Sequence, residues 1–407
     1  MKQTKTIVIT AVLFACFFSQ ELWGQSEETV SIIQLLKQQG FEDIKAKRAV
    51  DTLYVSIEDH AYRGTFRGAA MAIRNIAQEQ PDISQYELIL TDYKMPQLIV
   101  HASKRGAIWD VRVDREMTTA LHELSSEQVE ASSTGKIDIT VFPMVSLVNN
   151  KLDHLFDFAV MIAPAFATTL WKGSRLTIQP VFPIAHRLDS WDTKRRVQIG
   201  NANLSQQIIS KRHFFASAAA GFFHPERVGV QARAGVHVGR NLDFYIDGGI
   251  TYKVNNGPIS GFGFVRNSRQ INAMLFADYY EAHTKLQIEL RAGRFLYGDY
   301  GGRLDVTRHF GEYAIGVYGI LTEGEHNAGF HFAIPLGGKR QKRTTFIRLR
   351  LPEYFSWEYS MQSYFRYWLE NMGQSYVTQP DQNRAAHYWE PRFVEEYVLR
   401  ILNGDFK

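Results

Sequence analysis

The chain has 407 residues and a formal net charge of +4, too small an excess to argue for nucleic acid. Aromatic residues reach 13% and there are only 12 prolines, a composition that excludes a disordered chain. The length accommodates two or three domains, or one large β domain with an addition.

Residues 1–24 read as a targeting segment. Lys2 and Lys5 form a basic start, and Thr6 to Phe18 is an apolar run too short for a comfortable membrane-spanning helix. Cleavage after Gly24, with Leu22 at the third position back, would leave Gln25 as the first mature residue. A rival reading takes Leu13-Phe14-Ala15-Cys16 as a lipoprotein box, although Phe14 is bulky for it. Ordinary cleavage removes the chain's single cysteine, so disulfides would play no part in the mature fold. Either route takes the protein out of the cytoplasm.

Residues 25–103 read as a small α+β unit. Ser26-Glu-Glu-Thr29 starts a helix that runs to Gly40, and Phe66 to Gln80 carries Ala69, Ala70, Ile73 and Ile76 along one stripe. Strands are expected at Asp43–Lys47, Thr52–Ile57, Glu87–Thr91 and Gln97–Ala102, in a sheet with helices on one face. Residues 104–135 hold a strand candidate at Ala107–Val113 and a polar helix candidate at Thr118–Glu130, and end in Ala131-Ser-Ser-Thr-Gly135; the domain boundary and linker fall here.

From Lys136 to Leu351 the pattern becomes period-two alternation. Val228 to Val238 sets Val228, Val230, Ala232, Ala234 and Val236 against Gln231, Arg233 and His237. Leu242 to Val254 and Lys285 to Arg291 alternate as cleanly, and Gly239-Arg240-Asn241 and Gly311-Glu312 mark tight turns. On the order of twelve strands of about ten residues are expected, the length that crosses a bilayer when tilted. In a soluble sandwich the apolar face would be inside; in an outer-membrane barrel it meets lipid and the polar face lines the lumen. Strand length, the targeting segment and aromatics near strand ends (Phe222, Phe223, Phe295, Tyr297, Phe310, Tyr313, Phe332) favour the membrane. The expected fold is therefore mainly β: an outer-membrane antiparallel β-barrel behind a small N-terminal periplasmic α+β domain. Arg233, Asp243, Asp247, Lys253, Lys285, Glu289 and Arg291 would face the lumen.

The segment Arg294-Phe-Leu-Tyr-Gly-Asp-Tyr-Gly-Gly-Arg-Leu-Asp-Val-Thr-Arg-His-Phe310, followed by Ala314-Ile-Gly-Val-Tyr-Gly319, resembles the hallmark of the YjbH family, of which GfcD is the capsule-type member. Gly40-Phe-Glu-Asp-Ile44, Thr52 to Asp59, Ala163-Pro-Ala-Phe166 to Gly173, and Ile178 to Ile184 are similar in character. The resemblance implies an outer-membrane barrel serving exopolysaccharide or capsule export or assembly. Its expected partners are the lipid bilayer, an exopolysaccharide chain and periplasmic export proteins docking on the first domain.

Residues 352–407 depart from alternation. Tyr354 to Trp368 is crowded with aromatics and Phe393 to Leu402 has helical spacing; the segment is expected to cap or plug the lumen, or to supply the last strands. Lys339-Arg-Gln-Lys-Arg343 reads as a solvated loop, or as a contact to phosphate headgroups or an anionic glycan. No Gly-rich phosphate loop, His-Glu-x-x-His or Gly-x-Ser-x-Gly occurs, no histidine pair has metal spacing, and no cofactor is implied. The binding candidates are Arg294, Asp299, Arg303, Asp305 and Arg308 around the Gly-Asp-Tyr-Gly turn. Asp299 and Asp305 invite a glycosidase comparison, but Asp299 between glycines reads as a turn residue and Asp305 as a wall residue; no catalytic residue is assigned. Arg294, Arg308 and Asp299 are expected to form a charge network that fixes the turn. A soluble glycan-binding sandwich and a glycan-modifying barrel enzyme are the alternatives.

Overall fold

The strand-forming stretches assemble into two sheets. A computed structural model describes residues 27–148, 157–188, 193–255, 263–341, 346–361, 365–380 and 386–404. Both leader readings, at Gly24 and Cys16, lie outside those residues.

The first sheet follows helix α1 (Glu27–Gln39). Its strands are β1 (Glu42–Ala49), β2 (Thr52–Glu58), β3 (Gln85–Asp92), β4 (Met95–Arg105) and β5 (Ile108–Asp114), in the order β1-β2-β3-β4-β5. Helix α2 (Thr65–Glu79) carries the chain from β2 to β3, which pair in parallel; the other neighbours are antiparallel. The stripe Ala69, Ala70, Ile73 and Ile76 is fully buried, as its helical spacing requires. Glycine is needed at Gly68, where a Cβ would lie 1.7 Å from Asp59 Oδ2. The segment expected to be a linker is largely part of this unit: β5 pairs along β4, and Ile44 bridges to Glu130. Helices cover both faces rather than one. The short helix α3 (Thr118–Glu123) packs Met117, Ala120 and Leu124 on Ile89 and Ile99, while α1 and α2 pack on the opposite side with Leu88, Leu90 and Val100.

His101 ties the centre of this sheet to two acids, with Nδ1 2.7 Å from Glu87 and Nε2 3.8 Å from Asp114. Burial opposes its charge, but the Asp114 and Glu87 carboxylates outweigh burial and push its pKa up to about 9. A raised pKa gives stability that is present below the unfolded value of about 6.5 and is lost as pH rises through the folded value. His101→Gln is therefore expected to destabilise the chain by about 1 kcal/mol near pH 6, the scale of a partly screened pair. The difference in urea midpoint from the parent should vanish above about pH 10; a difference constant across pH would exclude the ion pair as its cause.

The second sheet has fifteen strands among the described residues. Twelve are long: β6 (Ile137–Val148), β7 (Asp157–Thr168), β8 (Ser174–Arg187), β9 (Gln198–Ser210), β10 (Phe214–Phe223), β11 (Arg227–Val238), β12 (Leu242–Asn255), β14 (Gln270–Glu281), β15 (Leu286–Arg294), β16 (Tyr300–Phe310), β17 (Tyr313–Thr322) and β18 (Glu325–Pro335). Each is antiparallel to the next. The two-residue β13 (Gly263–Phe264) pairs only with β12. The two ends of the strand order are β19 (Ile347–Arg350), parallel to β6, and β20 (Tyr354–Ser360), antiparallel to β18. Only residues 351–353 separate those two strands in the chain.

The faces of this sheet are inverted relative to a water-soluble fold. On β17 the burial alternates without a break, and Ile315, Val317 and Leu321 on the open face are 58, 59 and 59% exposed. Leu275, Leu290, Ile246 and Ile184 share that open face on other strands, while Asp247, Thr251, Gln287, Asp305 and Thr322 are buried on the other. Exposed aromatics gather at both strand ends: Trp171, Phe214, Tyr279, Phe310 and Tyr313 at one, Tyr252, Phe264, Tyr297 and Tyr300 at the other. Of the aromatics expected to form such rims, Phe222, Phe223 and Phe295 are instead buried.

The α+β unit docks at one end of the strands. Arg63 makes a two-pronged pair with Glu312 in the β16–β17 turn, at 2.7 and 2.9 Å, and Arg67 of α2 adds a third contact at 3.2 Å. Ser210 Oγ donates to the Pro96 carbonyl at 2.6 Å, and Gly173 N donates to the Tyr93 carbonyl at 2.7 Å. From the basic run, Arg340 donates to the Gln38 and Gln39 carbonyls at the end of α1 and lies over the Tyr62 ring. That arginine therefore serves docking; residues 342–343 lie outside the described set. The turns 169–173, 211–213, 239–241, 282–285 and 311–312 at this end span two to five residues, and the 336–346 connection there is longer. Away from the docked unit 224–226, 295–299 and 323–324 are as short, while the connections from β6 to β7, β8 to β9 and β12 to β14 are longer.

Candidate functional site

The polar face of the large sheet carries two features: a strap near the long-loop end and a chamber near the docked unit. Both depend on the C-terminal segment.

The strap begins at helix α4 (Phe365–Leu369). Tyr367 and Met372 are buried against Met274, Phe295, Tyr318 and Ile320. Further along, Tyr376 stacks on Phe223 with ring centroids 5.3 Å apart, and Val377 exchanges both backbone hydrogen bonds with His224. Thr378 accepts from Asn203 Nδ2 at 2.7 Å, and Gln379 donates to Ser205 Oγ at 2.9 Å. The segment thus crosses from the β14–β18 side to the β9–β10 side. It then leads to helix α5 (Pro391–Asn403), whose Phe393, Val394, Tyr397 and Val398 complete the core of the α+β unit. Glu390 caps that helix, Pro391 opens it, and Gly404 ends it in the left-handed conformation. One segment thus supplies a strand (β20), a strap across the polar face and a helix in the core of the α+β unit.

The residues expected to bind divide between the two faces. Asp299 is buried, accepting from Thr322 Oγ1 and from Gly373 N, each at 2.7 Å, so it pins the strap to the turn. Arg303 and Asp305 pair at 2.6 Å; Arg303 also reaches Glu358 at 2.7 Å and lies 3.7 Å over the Tyr318 ring, and Arg291 joins Asp305 at 3.3 Å. Arg294 donates to the Ile271 carbonyl. Arg308 lies on the opposite, open face, exposed and over the Phe310 ring at 5.2 Å. The expected network of Arg294, Asp299 and Arg308 therefore does not form. Strand parity excludes it, because residue 308 faces away from 303, 305 and 307. Asp299→Ala is expected to free the strap at a cost of about 1–3 kcal/mol, the penalty of leaving two donors without their acceptor. Faster proteolysis within 365–380 in the folded protein would report it, and an unchanged cleavage rate would mean that Asp299 does not hold the strap.

The chamber has a volume of about 370 Å³. Its walls come from β9, β10, β11, β12, β14 and β15, from Gln97 and Arg115 of the docked unit, and from Trp389 and Glu390 ahead of α5. Each arginine in the wall faces a carboxylate: Arg115 is 3.8 Å from Asp243, Arg233 is 2.6 Å from Asp247, and Arg240 pairs with Glu395. Asp243 is also 2.7 Å from His237 Nδ1. Asp278 accepts only from Gln287, at 2.8 and 2.9 Å, among the described residues. Burial drives Glu390 up to about 8, outweighing the Phe393 N–H that its Oε2 accepts, which favours the neutral carboxyl. Its Oε1 and the Tyr280 hydroxyl are buried with no hydrogen-bond partner among the described residues. Phe215, Tyr245 and Trp389 supply aromatic surface.

The chamber was not readable from the sequence, because Arg115 and Glu390 come from segments far from the strands they face. Among the described residues no group of three His, Cys, Asp or Glu side chains could hold a metal ion. Comparison with protein-family models, with curated proteins and with solved structures found no match.

Proposed function

We propose that the chain is an outer-membrane β-barrel protein with a periplasmic α+β domain, and that it takes part in exopolysaccharide or capsule export or assembly as a docking platform and internally strapped conduit. One observation carries the membrane assignment: the large sheet exposes its apolar face and buries its polar one. Exposed apolar surface on that scale is a hazard in water and a requirement in lipid. Further support comes from the aromatics at both strand ends, which suit the two membrane interfaces. The proximity in the chain of β19 and β20, the two ends of the strand order, supports closure. The three longest strand-to-strand connections within β6–β18 lie away from the docked unit, which fits the outer side of such a barrel with the docked unit on the periplasmic side. The polysaccharide assignment rests on the resemblance of residues 294–319 to the YjbH family.

A glycan-modifying enzyme is the second reading, and one observation favours it: Asp243, Asp278 and Glu390 line a single chamber, as a chemistry that works with two carboxyls requires. A soluble glycan-binding sandwich would need the apolar face covered.

The test is membrane fractionation with gel mobility compared before and after boiling. Recovery in the outer membrane with heat-modifiable mobility is expected. A soluble protein whose mobility does not change on boiling would overturn the proposal.

A further inference from the structure

We infer that the chamber between the α+β unit and the polar face of β9–β15 is a binding site for a neutral, hydroxyl-bearing saccharide. Its volume of about 370 Å³ falls in the range of small-molecule sites, roughly 300–1,000 Å³. Its wall combines flat aromatic surface from Phe215, Tyr245 and Trp389 with convergent polar groups. That mixture suits a pyranose, which is apolar across its ring faces and ringed by hydroxyls. Two buried polar atoms, the Tyr280 hydroxyl and Glu390 Oε1, have no partner among the described residues, and an unpaired buried polar group is costly until something bonds to it.

The charge pattern narrows the class. Arg115, Arg233 and Arg240 each face a carboxylate already, so the wall holds no unmatched cation from them for an acidic sugar. The remaining groups, among them Asp278, Gln207 and Ser217, offer acceptors and neutral donors to hydroxyls. A uronate would bring a carboxylate beside Asp278, whose oxygens accept only from Gln287 among the described residues, and would be disfavoured.

The choice of a saccharide rests on the polysaccharide reading above; the cavity and its unpaired groups do not. The experiment is saturation-transfer NMR on the full chain in detergent, with cellotetraose, maltotetraose and mannotetraose as neutral probes and tetragalacturonate as the acidic one. Transfer to at least one neutral probe and none to tetragalacturonate is expected. Tyr280→Phe should weaken that binding about tenfold, the effect of about 1.4 kcal/mol, while the urea midpoint stays at or above the parent value because an unpaired hydroxyl has been removed. Asp278→Asn is the second variant and should weaken binding similarly. The inference is overturned if no neutral probe receives saturation at about 10 mM, a concentration that detects Kd values near 1 mM. Equal transfer to tetragalacturonate, or binding unchanged in both variants, overturns it as well. Heat-modifiable mobility is scored on the same samples. A barrel that binds no sugar sinks the chamber and spares the membrane reading, and a soluble protein that binds sugar does the reverse.

Discussion

Val317→Arg is expected to lower stability in lipid by about 2–4 kcal/mol, the cost of an arginine at the mid-depth of an outer-membrane barrel. Val317 lies near the middle of β17 and is 59% exposed, on the same face as Ile315 and Leu321. Its side chain touches little protein, so neither packing loss nor an unpaired partner would account for a large effect. Tyr313→Arg, at the turn end of the same strand, should cost only about 0–1 kcal/mol, because the penalty fades toward the interface. If water covered this face, both substitutions would fall within about ±0.5 kcal/mol. Reversible urea unfolding in lipid vesicles measures the difference. A steep loss at Val317 with a shallow one at Tyr313 is a depth profile that only a bilayer produces. A flat response at both positions would remove the bilayer from the account and reopen the soluble sandwich.

Much of the sheet was legible because period two survives wherever a strand has two unlike faces. Leu242–Asn255 and Arg227–Val238 stand within a residue of where alternation put them. Alternation by itself does not say which face is outside, since it is symmetric between lipid outside and core inside; only strand length, the targeting segment and the end aromatics favour one choice. β5 stands at Ile108–Asp114, within a residue of the strand that alternation puts at Ala107–Val113; what no local pattern shows is that it pairs with β4 and so belongs to the first sheet rather than to a linker. Arg308 was grouped with Asp299 by nearness in sequence, when counting residues along β16 would have put it on the other face. Phe223 and Phe295 suit an interface by their place at strand ends; the strap, whose Tyr367, Met372 and Tyr376 lie far along the chain from both, buries them. The chamber shares that cause. Its wall is drawn from three parts of the chain, and no local pattern announces that they meet.

Glu312→Gln is expected to weaken the docking of the α+β unit by about 3–5 kcal/mol, the usual loss when one partner of a buried ion pair is removed. Glu312, Arg63 and Arg67 are each 8% exposed, so water cannot replace the missing charge. Burial alone would raise the Glu312 carboxyl, and Arg63 and Arg67 hold it below its ordinary value, which marks the pair as ionised. Arg63→Lys should give an intermediate loss, because an ammonium cannot reproduce the two-pronged contact or also reach the Leu336 and Gly337 carbonyls. The variant should show a new, earlier unfolding transition, while heat-modifiable mobility persists because the strands keep their own pairing. α5 would keep the released unit tethered, since its Phe393 and Tyr397 belong to that unit's core. Undocking also withdraws Gln97 and Arg115 from the chamber wall, so saccharide transfer should fall together with docking. A single transition at the parent midpoint would mean that the buried contact of Arg348 with Glu42, 2.7 Å apart, and the α5 core hold the unit without Glu312. Loss of saccharide transfer without the earlier transition would separate the chamber from docking altogether.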